Sequence, residues 1–245
     1  MKVQANPQVE IRALTTLAEM HACVALQSEI WGDGFDGVVP ASLLKVATYV
    51  GGVVAGAFDG GALRGFVFGI TGVEQGDLVH WSHMLGVSPR AQGQGIGRAL
   101  KEHQREILRS LGVKRMYWTF DPLVARNAHF NFNVLGVRAK DYVVDMYGAG
   151  TSPLHRGIGT DRLIVSWSMN GAAPAKVSDA HLAGGTRIEV PGDIARLQAS
   201  DMRQAVEWRE RTRAAFTAAL SNGLAITGFD PGVGAKSGAY LLSRT

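Results

Sequence analysis

Six residues, Gln92-Gly93-Gln94-Gly95-Ile96-Gly97, restrict what this chain can become more than any others. They stand between an apolar run ending Leu85-Gly86-Val87-Ser88-Pro89 and a segment, to Leu111, with apolar residues at helical spacing. A strand must turn into a helix within a few residues, and glycine supplies the backbone angles that this needs. Glycines also leave their amide N–H groups uncovered, and several such groups at a helix N-terminus make an anion site. An anion there gains about 0.3–1 kcal/mol from the helix dipole, before its hydrogen bonds are counted. The spacing predicts a pyrophosphate cradle framed by Gln92, Gly93, Gln94, Gly95, Ile96, Gly97 and Arg98. The plainer alternative is a glycine-rich turn that binds nothing.

The glycine spacing decides which pyrophosphate. A dinucleotide fingerprint needs G-x-G-x-x-G/A, but Arg98 or Leu100 falls where the third glycine belongs. A Walker loop needs Lys after its glycines, and none follows. The pattern that fits is Q/R-x-x-G-x-G/A, on Gln92, Gly95 and Gly97. It resembles the coenzyme A loop of the GNAT acyltransferase superfamily, and the preceding Leu85-Gly86-Val87-Ser88-Pro89 is similar to the family's strand end.

That resemblance covers about two-thirds of the chain and implies an α/β (α+β) fold: a mostly antiparallel twisted sheet with one splayed strand pair and flanking helices. Strands are expected at Val9–Leu14, Tyr49–Phe58, Leu63–Ile70, Asp77–Val87, Lys114–Phe120, Val137–Met146 and Leu163–Met169. Thr15-Thr16 with Glu19 signals the start of a first helix, which carries Leu17, Met20, Val24 and Leu26 inward and ends near Trp31-Gly32. Ala41–Thr48, the segment after Gly97 and Ala125–Leu135 are further helices, the last closed by Gly136. Asp59-Gly60-Gly61 marks a tight hairpin. Residues 1–170 are read as the acyl-CoA-binding domain, 170–186 as a linker, and 171–245 as a small α/β extension packing on it. The segments HRGIGTDR (155–162) and WRERTR (208–213) resemble a bacterial subfamily of predicted acetyltransferases with such an extension, some linked to amino-acid succinylation.

Composition excludes several classes. A net charge of +4 from 25 basic and 21 acidic side chains suits an anionic ligand, and no basic block suggests nucleic acid. Cys23, the single cysteine, allows no intramolecular disulfide and no cysteine metal cluster, and no metal is expected. No apolar run reaches the roughly 20 residues of a membrane span, and MKVQANPQVEIR lacks a signal-peptide core. A cytoplasmic protein with no membrane partner is the expectation. The sequence leaves open whether the tail closes a cleft or makes a homodimer contact.

The resemblance implies acyl transfer from acetyl-CoA or another acyl-CoA to an amine, with the pantetheine arm between the two splayed strands. It assigns cofactor contacts to Leu85, Gly86, Val87, the loop Gln92–Arg98 and Asn127, with a bulge expected at Gly86. His83 lies where many members carry a Glu or His base, and histidine titrates in the right range for that work. Strand alternation puts Trp81, His83, Leu85 and Val87 on one face and His80, Ser82 and Met84 on the other. The alternative is a sheet histidine satisfied by a carbonyl. An N–H near Leu85–Val87 is the expected oxyanion donor. The family's usual tyrosine acid is replaced by Phe132, which leaves Asn127, Asn131 and Tyr142 as candidates, or no acid at all.

Trp31 and Phe35 are placed near the acceptor by the resemblance, or simply cover a helix end. Arg156, Arg162, Arg209 and Arg213 are candidates for a substrate carboxylate, with salt bridging as the competing role. Helical spacing groups Val206, Arg209, Arg213, Phe216 and Leu220 on one stripe. The expected activity is acetyl transfer to a small-molecule amine. The alternatives are succinyl-CoA-dependent transfer to an amino acid and a non-catalytic CoA-binding module; a dinucleotide-binding oxidoreductase is disfavoured by the glycine spacing.

Overall fold

The structure, a computed structural model, describes residues 9–148, 157–170, 185–232 and 237–244. These form two compact units. The first takes in residues 9–118 and Ser168–Asn170; the second takes in the rest. The division at Trp118 falls earlier than the boundary the sequence suggests, and the expected linker lies mostly outside the described residues.

The first unit contains β1 (Val9–Ala13), α1 (Leu17–Trp31), α2 (Ala41–Tyr49), β2 (Val53–Asp59), β3 (Ala62–Glu74), β4 (Asp77–Val87), α3 (Ile96–Ser110) and the start of β5 (Arg115–Phe120). The strands lie in the order β1-β2-β3-β4-β5, antiparallel up to β4. β5 joins β4 in parallel, as a strand must when a helix carries the chain back.

α1 and α2 cover one face, where Met20, Cys23, Leu26 and Leu44 pack with Phe66, Phe68 and Met84. Each side chain fully buried there contributes about 1.5–3 kcal/mol. α3 covers the other face at close range. A Cβ on Gly65 would stand 3.1 Å from Ile96 Cγ2 and 3.2 Å from Leu100 Cδ1. Leu17, expected inward, is exposed, and Cys23 takes its place in the core.

Thr16 caps α1 with a full capping box: its hydroxyl accepts from the Glu19 N–H, and Glu19 Oε2 accepts from the Thr15 and Thr16 N–H groups. Those backbone donors, with Arg12 beside them, hold the Glu19 carboxyl down to about 2. The depressed value stabilises the fold above the ordinary carboxylate range, and that contribution is lost as pH falls from about 4.5 through about 2. Thr16→Ala should cost about 1 kcal/mol in urea denaturation at pH 7. Glu19→Gln should also lose stability at pH 7, and its deficit should shrink as pH falls from about 4.5 through about 2; an equal deficit at both ends would contradict the capping account.

Two tight turns set the hairpins. Gly60 and Gly61 both take positive φ, as Asp59-Gly-Gly predicts. Gln75 (φ 52°) and Gly76 (φ 85°) make a second such turn, which extends β3 to Glu74, beyond the strand end expected at Ile70.

The second unit holds α4 (Ala125–His129), a π-helical turn (Phe130–Leu135), β6 (Arg138–Val143), β7 (Arg162–Ser168), β8 (Thr186–Pro191), α5 (Ile194–Ser200), α6 (Met202–Ser221), β9 (Leu224–Asp230) and β10 (Ser237–Arg244). β6 and β7 pair antiparallel; β8, β10 and β9 form a second antiparallel sheet in that order. Gly136 ends the π-helical turn in the left-handed conformation (φ 67°), the stop that its position predicts. Asp201 caps α6, its carboxylate accepting from the Gln204 N–H.

Tyr240 centres the aromatic core of this unit, with Phe229, Phe216 and Phe132 at 5.0, 5.1 and 6.0 Å between ring centres. An ion network surrounds it. Arg209, 2% exposed, donates to Asp121 Oδ2 at 2.6 Å and to the Ile158 carbonyl. Arg213 grips Asp161 with two N–H groups and also reaches Asp145. Burial opposes ionisation of Asp161, but hydrogen bonds from Arg213 and Tyr142 outweigh it and hold its carboxyl below the usual range. Asp121→Ala should cost about 3–5 kcal/mol, because it strands the Arg209 cation away from water. Chemical denaturation reads this directly; a loss under about 1 kcal/mol would show the pair to be surface-like.

Candidate active site

The glycine loop sits at the start of α3 as its spacing requires. Ser88 closes the strand end, with its N–H on the Arg64 carbonyl and its hydroxyl on Glu29 Oε1. A short 3₁₀ turn (Pro89–Ala91) follows, and Gln92 then donates back to the Val87 carbonyl at 3.2 Å. Gly93 (φ 78°) and Gly95 (φ 78°, ψ 0°) both occupy the left-handed region, where a side chain is strained. Gly95 is the N-cap of α3, and no side chain caps that end. The first intrahelical bond runs from the Ala99 N–H to the Gly95 carbonyl. The N–H groups of Ile96, Gly97 and Arg98 precede it, with no acidic residue in the first turn to compete for them.

This frame fits a diphosphate: bare nitrogens, the positive end of a 15-residue helix, and open space where a Cβ on Gly93 would stand. A hollow of about 170 Å³ beside the loop is lined by Arg64, Arg90, Gln94 and Ile96, with Asp59 the one acidic wall residue. The Arg98 guanidinium is engaged with Glu102 at 2.8 Å, so that residue offers the loop its backbone rather than its charge. A second hollow, of about 350 Å³, lies against β1, β2 and α2, and its lining (Leu14, Lys45, Val54 and Ile107 among others) brings no catalytic side chain.

β4 carries the chemistry and departs from plain alternation. Phe68 pairs with Met84 and Ile70 with Trp81, so Ser82 and His83 together oppose Gly69 alone. This is a β-bulge, and it sits here rather than at Gly86, which pairs regularly with Phe66. Gly69 is the residue that permits it: a Cβ there would stand 2.6 Å from the Trp81 carbonyl oxygen and closer still to the His80 ring. The extra residue exchanges faces along the strand. His80 and Ser82 bond to Gln104 of α3, whereas Met84 joins the core under α1 and α2. Gly86 beyond it faces Ile30 and Trp31. Leu85 and Val87 therefore do not share the face of Trp81, as alternation alone had implied.

His83 is exposed, and its ring meets Phe68 edge to face at 5.9 Å between centres. Loss of hydration among apolar neighbours lowers its pKa from the ordinary 6.5, so the imidazole is neutral at pH 7 and free to accept a proton. His80 is instead buried and committed. Thr71 Oγ1 lies 2.9 Å from its Nδ1 and Gln104 Nε2 lies 3.0 Å from its Nε2, and burial with Lys101 nearby pushes its pKa to about 3.

β4 and β5 pair only through Val79–Trp81 against Arg115–Tyr117. Among the described residues the pairing of β4 with β5 ends at Trp81 and Tyr117.

Trp31 and Phe35 meet at 5.1 Å between ring centres, tilted by 40°, and pack, half-buried, against the α1–α2 core; the smallness of Gly86 lets Trp31 approach β4. Arg156 lies outside the described residues. Arg162 and Arg209 are engaged within the second unit, Arg162 on the Asp161 carbonyl and Arg209 on Asp121, which is the structural of their two expected roles. The buried stripe of α6 is Ala205, Arg209, Thr212, Phe216 and Ala219, rotated from the one expected.

Tyr142, named as a candidate acid, is engaged with Asp161 in the second unit. Its hydroxyl donates to Asp161 at 2.5 Å, and burial, with that carboxylate beside it, pushes its pKa far up. Asn131 is buried and donates to the Asn127 carbonyl, and Phe132 is locked between Phe120 and Tyr240. Lys101, which no sequence signal marks, is 2% exposed on α3. Among the described residues no three His, Cys, Asp or Glu side chains converge as a metal site would need, and no described helix is long and apolar enough to cross a membrane.

A strand, a glycine loop and an uncapped helix N-terminus follow one another here in the order that an anion-binding αβ turn requires. Residues 23–131 match the acetyltransferase (GNAT) family, so this stretch of the chain is similar to acetyltransferases of that type. The chain's fold is shared with the ribosomal-protein-S18-alanine N-acetyltransferase of Escherichia coli (18% identity, 69% of this chain and 99% of that one, TM-score 0.51). Similar too are YncA of Salmonella typhimurium, solved with acetyl-CoA (18%, 69% and 99%, TM-score 0.50), and Naa50 of Arabidopsis thaliana, solved with a CoA–peptide bisubstrate analogue (16%, 66% and 99%, TM-score 0.51). No curated protein matches the chain.

Proposed function

We propose that this protein transfers the acetyl group of acetyl-CoA to the primary amine of a small molecule by direct attack, with His83 as the base. The observation that carries the reading is the meeting, in one unit, of an uncapped glycine cradle, a strand whose pairing with β5 ends at Trp81 and a neutral histidine. The amides of Gly95–Arg98 would hold the diphosphate. The pantetheine arm would lie along the free edge of β4 between Ser82 and Val87, pairing as an added strand does.

An ammonium with pKa near 8 to 10.4 must lose a proton before it attacks. His83 would take it, directly or through one water. The amine nitrogen then bonds to the thioester carbonyl carbon, and the oxyanion accepts from an N–H on the open edge of β4. The C–S bond breaks and the thiolate leaves. A thiol of pKa near 8.5 departs without an acid, which suits a sequence with Phe132 in the position of the family's usual tyrosine.

The succinyl alternative needs a free cation among Arg156, Arg162, Arg209 and Arg213, and the last three are engaged in the second unit. A peptide N-terminus is the second acceptor to test, since the named activity of the Escherichia coli enzyme and the peptide-bearing ligand of Naa50 both favour it. A thiol-release assay decides, with acetyl-CoA and succinyl-CoA against amino acids, polyamines, aminoglycosides and Ala-initiated peptides. Cys23 will not confuse the signal: burial pushes its thiol up to about 12. Release with a free amine supports the proposal. Release with peptides alone shifts the acceptor class, and CoA binding without release under any pairing would leave a binding module.

A further inference from the structure

The two strands of the fork part immediately after Trp81 and Tyr117, and the next residue on each, Ser82 and Trp118, touches one side chain of α3. Lys101 Nζ donates to Ser82 Oγ at 2.8 Å and stands 3.8 Å above the centre of the Trp118 ring. It is 2% exposed, and no carboxylate among the described residues pairs with it. Burial lowers its pKa well below the ordinary lysine value. An amine so placed costs free energy that an apolar side chain of the same length would not.

Its hydrogen bond opens a directed chain. Ser82 Oγ donates to Gln104 Oε1 at 2.7 Å, and Gln104 Nε2 lies 3.0 Å from His80 Nε2. With that nitrogen accepting, the proton sits on Nδ1 and is donated to Thr71 Oγ1, which in turn donates to the Gly51 carbonyl. Every link of this chain ends on β3, β4 or the turn before β2. Ser82 is also the first residue of the bulge, so the chain pulls Ser82 toward α3 and leaves its neighbour His83 on the opposite side.

We infer that Lys101 is a positioning residue: by bridging Ser82 and Trp118 at the apex of the fork, it sets how far β4 and β5 open for the pantetheine arm and fixes the bulge that presents His83. The inference rests on the reading of the fork as the seat of that arm. It gives α3 two tasks five residues apart, the diphosphate at its first turn and the fork at Lys101.

Lys101→Met keeps the length and apolar stem and removes the hydrogen bond and the contact with the indole face. Its melting temperature should equal or exceed that of the parent, while kcat/KM for acetyl-CoA falls about 10- to 100-fold, the scale of a small misplacement of reacting groups. The acid limb of its pH–rate profile should shift as the bulge relaxes and His83 moves relative to the Phe68 ring. Affinity for CoA should fall, whereas affinity for adenosine 3′,5′-bisphosphate, which lacks the arm, should not change. Ser82→Ala should reproduce these effects and serves in place of Lys101→Met should that variant not fold.

Unchanged kinetics in a folded Lys101→Met protein would overturn the inference. So would a loss of activity that merely tracks a lower melting temperature, or an equal loss of affinity for both ligands. The comparison of CoA with the bisphosphate needs no turnover. An inactive parent protein would therefore sink the catalytic reading and still leave the fork claim decided by binding.

Discussion

Replacing His83 with alanine is expected to lower kcat for acetyl transfer about 10²- to 10⁴-fold, the range a positioned general base supplies, while CoA affinity stays at the parent value. The separation follows from geometry, because His83 sits on the bulge of β4 and the diphosphate cradle is built from backbone at the start of α3. Among Phe68 and its apolar neighbours the imidazole has a lowered pKa, so it is already deprotonated at pH 7. The sign of the pH dependence follows. The parent kcat should rise through an apparent pKa below 6.5 and then level, since a base works only once it has lost its proton. In His83→Ala that limb should be absent, and what remains should rise only with deprotonation of the amine itself. His83→Gln keeps a polar group of similar reach without a useful pKa and should be as slow as alanine. Steady-state rates from pH 5 to 9 test all three statements, and a limb that survives in the alanine variant removes His83 from the mechanism.

Gly95→Glu should abolish measurable CoA binding. Two effects add. Gly95 sits at φ 78°, ψ 0°, where a residue with a Cβ costs roughly 1–2 kcal/mol. The new carboxylate would also lie at the uncapped end of α3 and take the N–H groups meant for the ligand. Hydrogen bonds to a charged group contribute about 1.5–3 kcal/mol each, so losing two of them weakens binding by roughly a hundredfold or more. Gly95→Ala isolates the strain from the charge and should lose far less. Titration calorimetry of the two variants separates these effects, and comparable losses in both would mean that the carboxylate does not meet the phosphates.

Local chemistry made much of this structure legible in advance. Thr16 and Glu19 specify a capping box, Asp59-Gly-Gly a two-residue hairpin, and Gly136 a helix stop, each through interactions only a few residues apart. The glycine loop belongs to the same class, since its requirements are met by φ values and by the helix that follows. The bulge was placed at Gly86 because glycine permits one; it lies at Ser82–His83 because the partner strand supplies its glycine, Gly69, thirteen residues earlier. That pairing is not written in β4. The stripe of α6 was rotated for a related reason: helical period alone does not say which of two adjacent faces the aromatic core will choose, and small Ala205 and Ala219 fit beneath it better than Val206 and Leu220. Lys101 carries no signal in the sequence, because a lysine on a helix is ordinarily a surface residue and its partners, Ser82 and Trp118, lie on separate strands. Arg209 and Arg213 needed partners on sequence grounds, and Asp121, Asp145 and Asp161 could be matched to them only in three dimensions.

The central claim, that backbone nitrogens at the start of α3 hold the diphosphate of coenzyme A, is tested most directly by amide NMR of the ¹⁵N-labelled protein. On titration with CoA, the resonances of Gly95, Ile96, Gly97 and Arg98 should move together and saturate, and NAD at the same concentration should leave them in place. Saturable shifts confined to other segments, with these four amides still, would contradict the account.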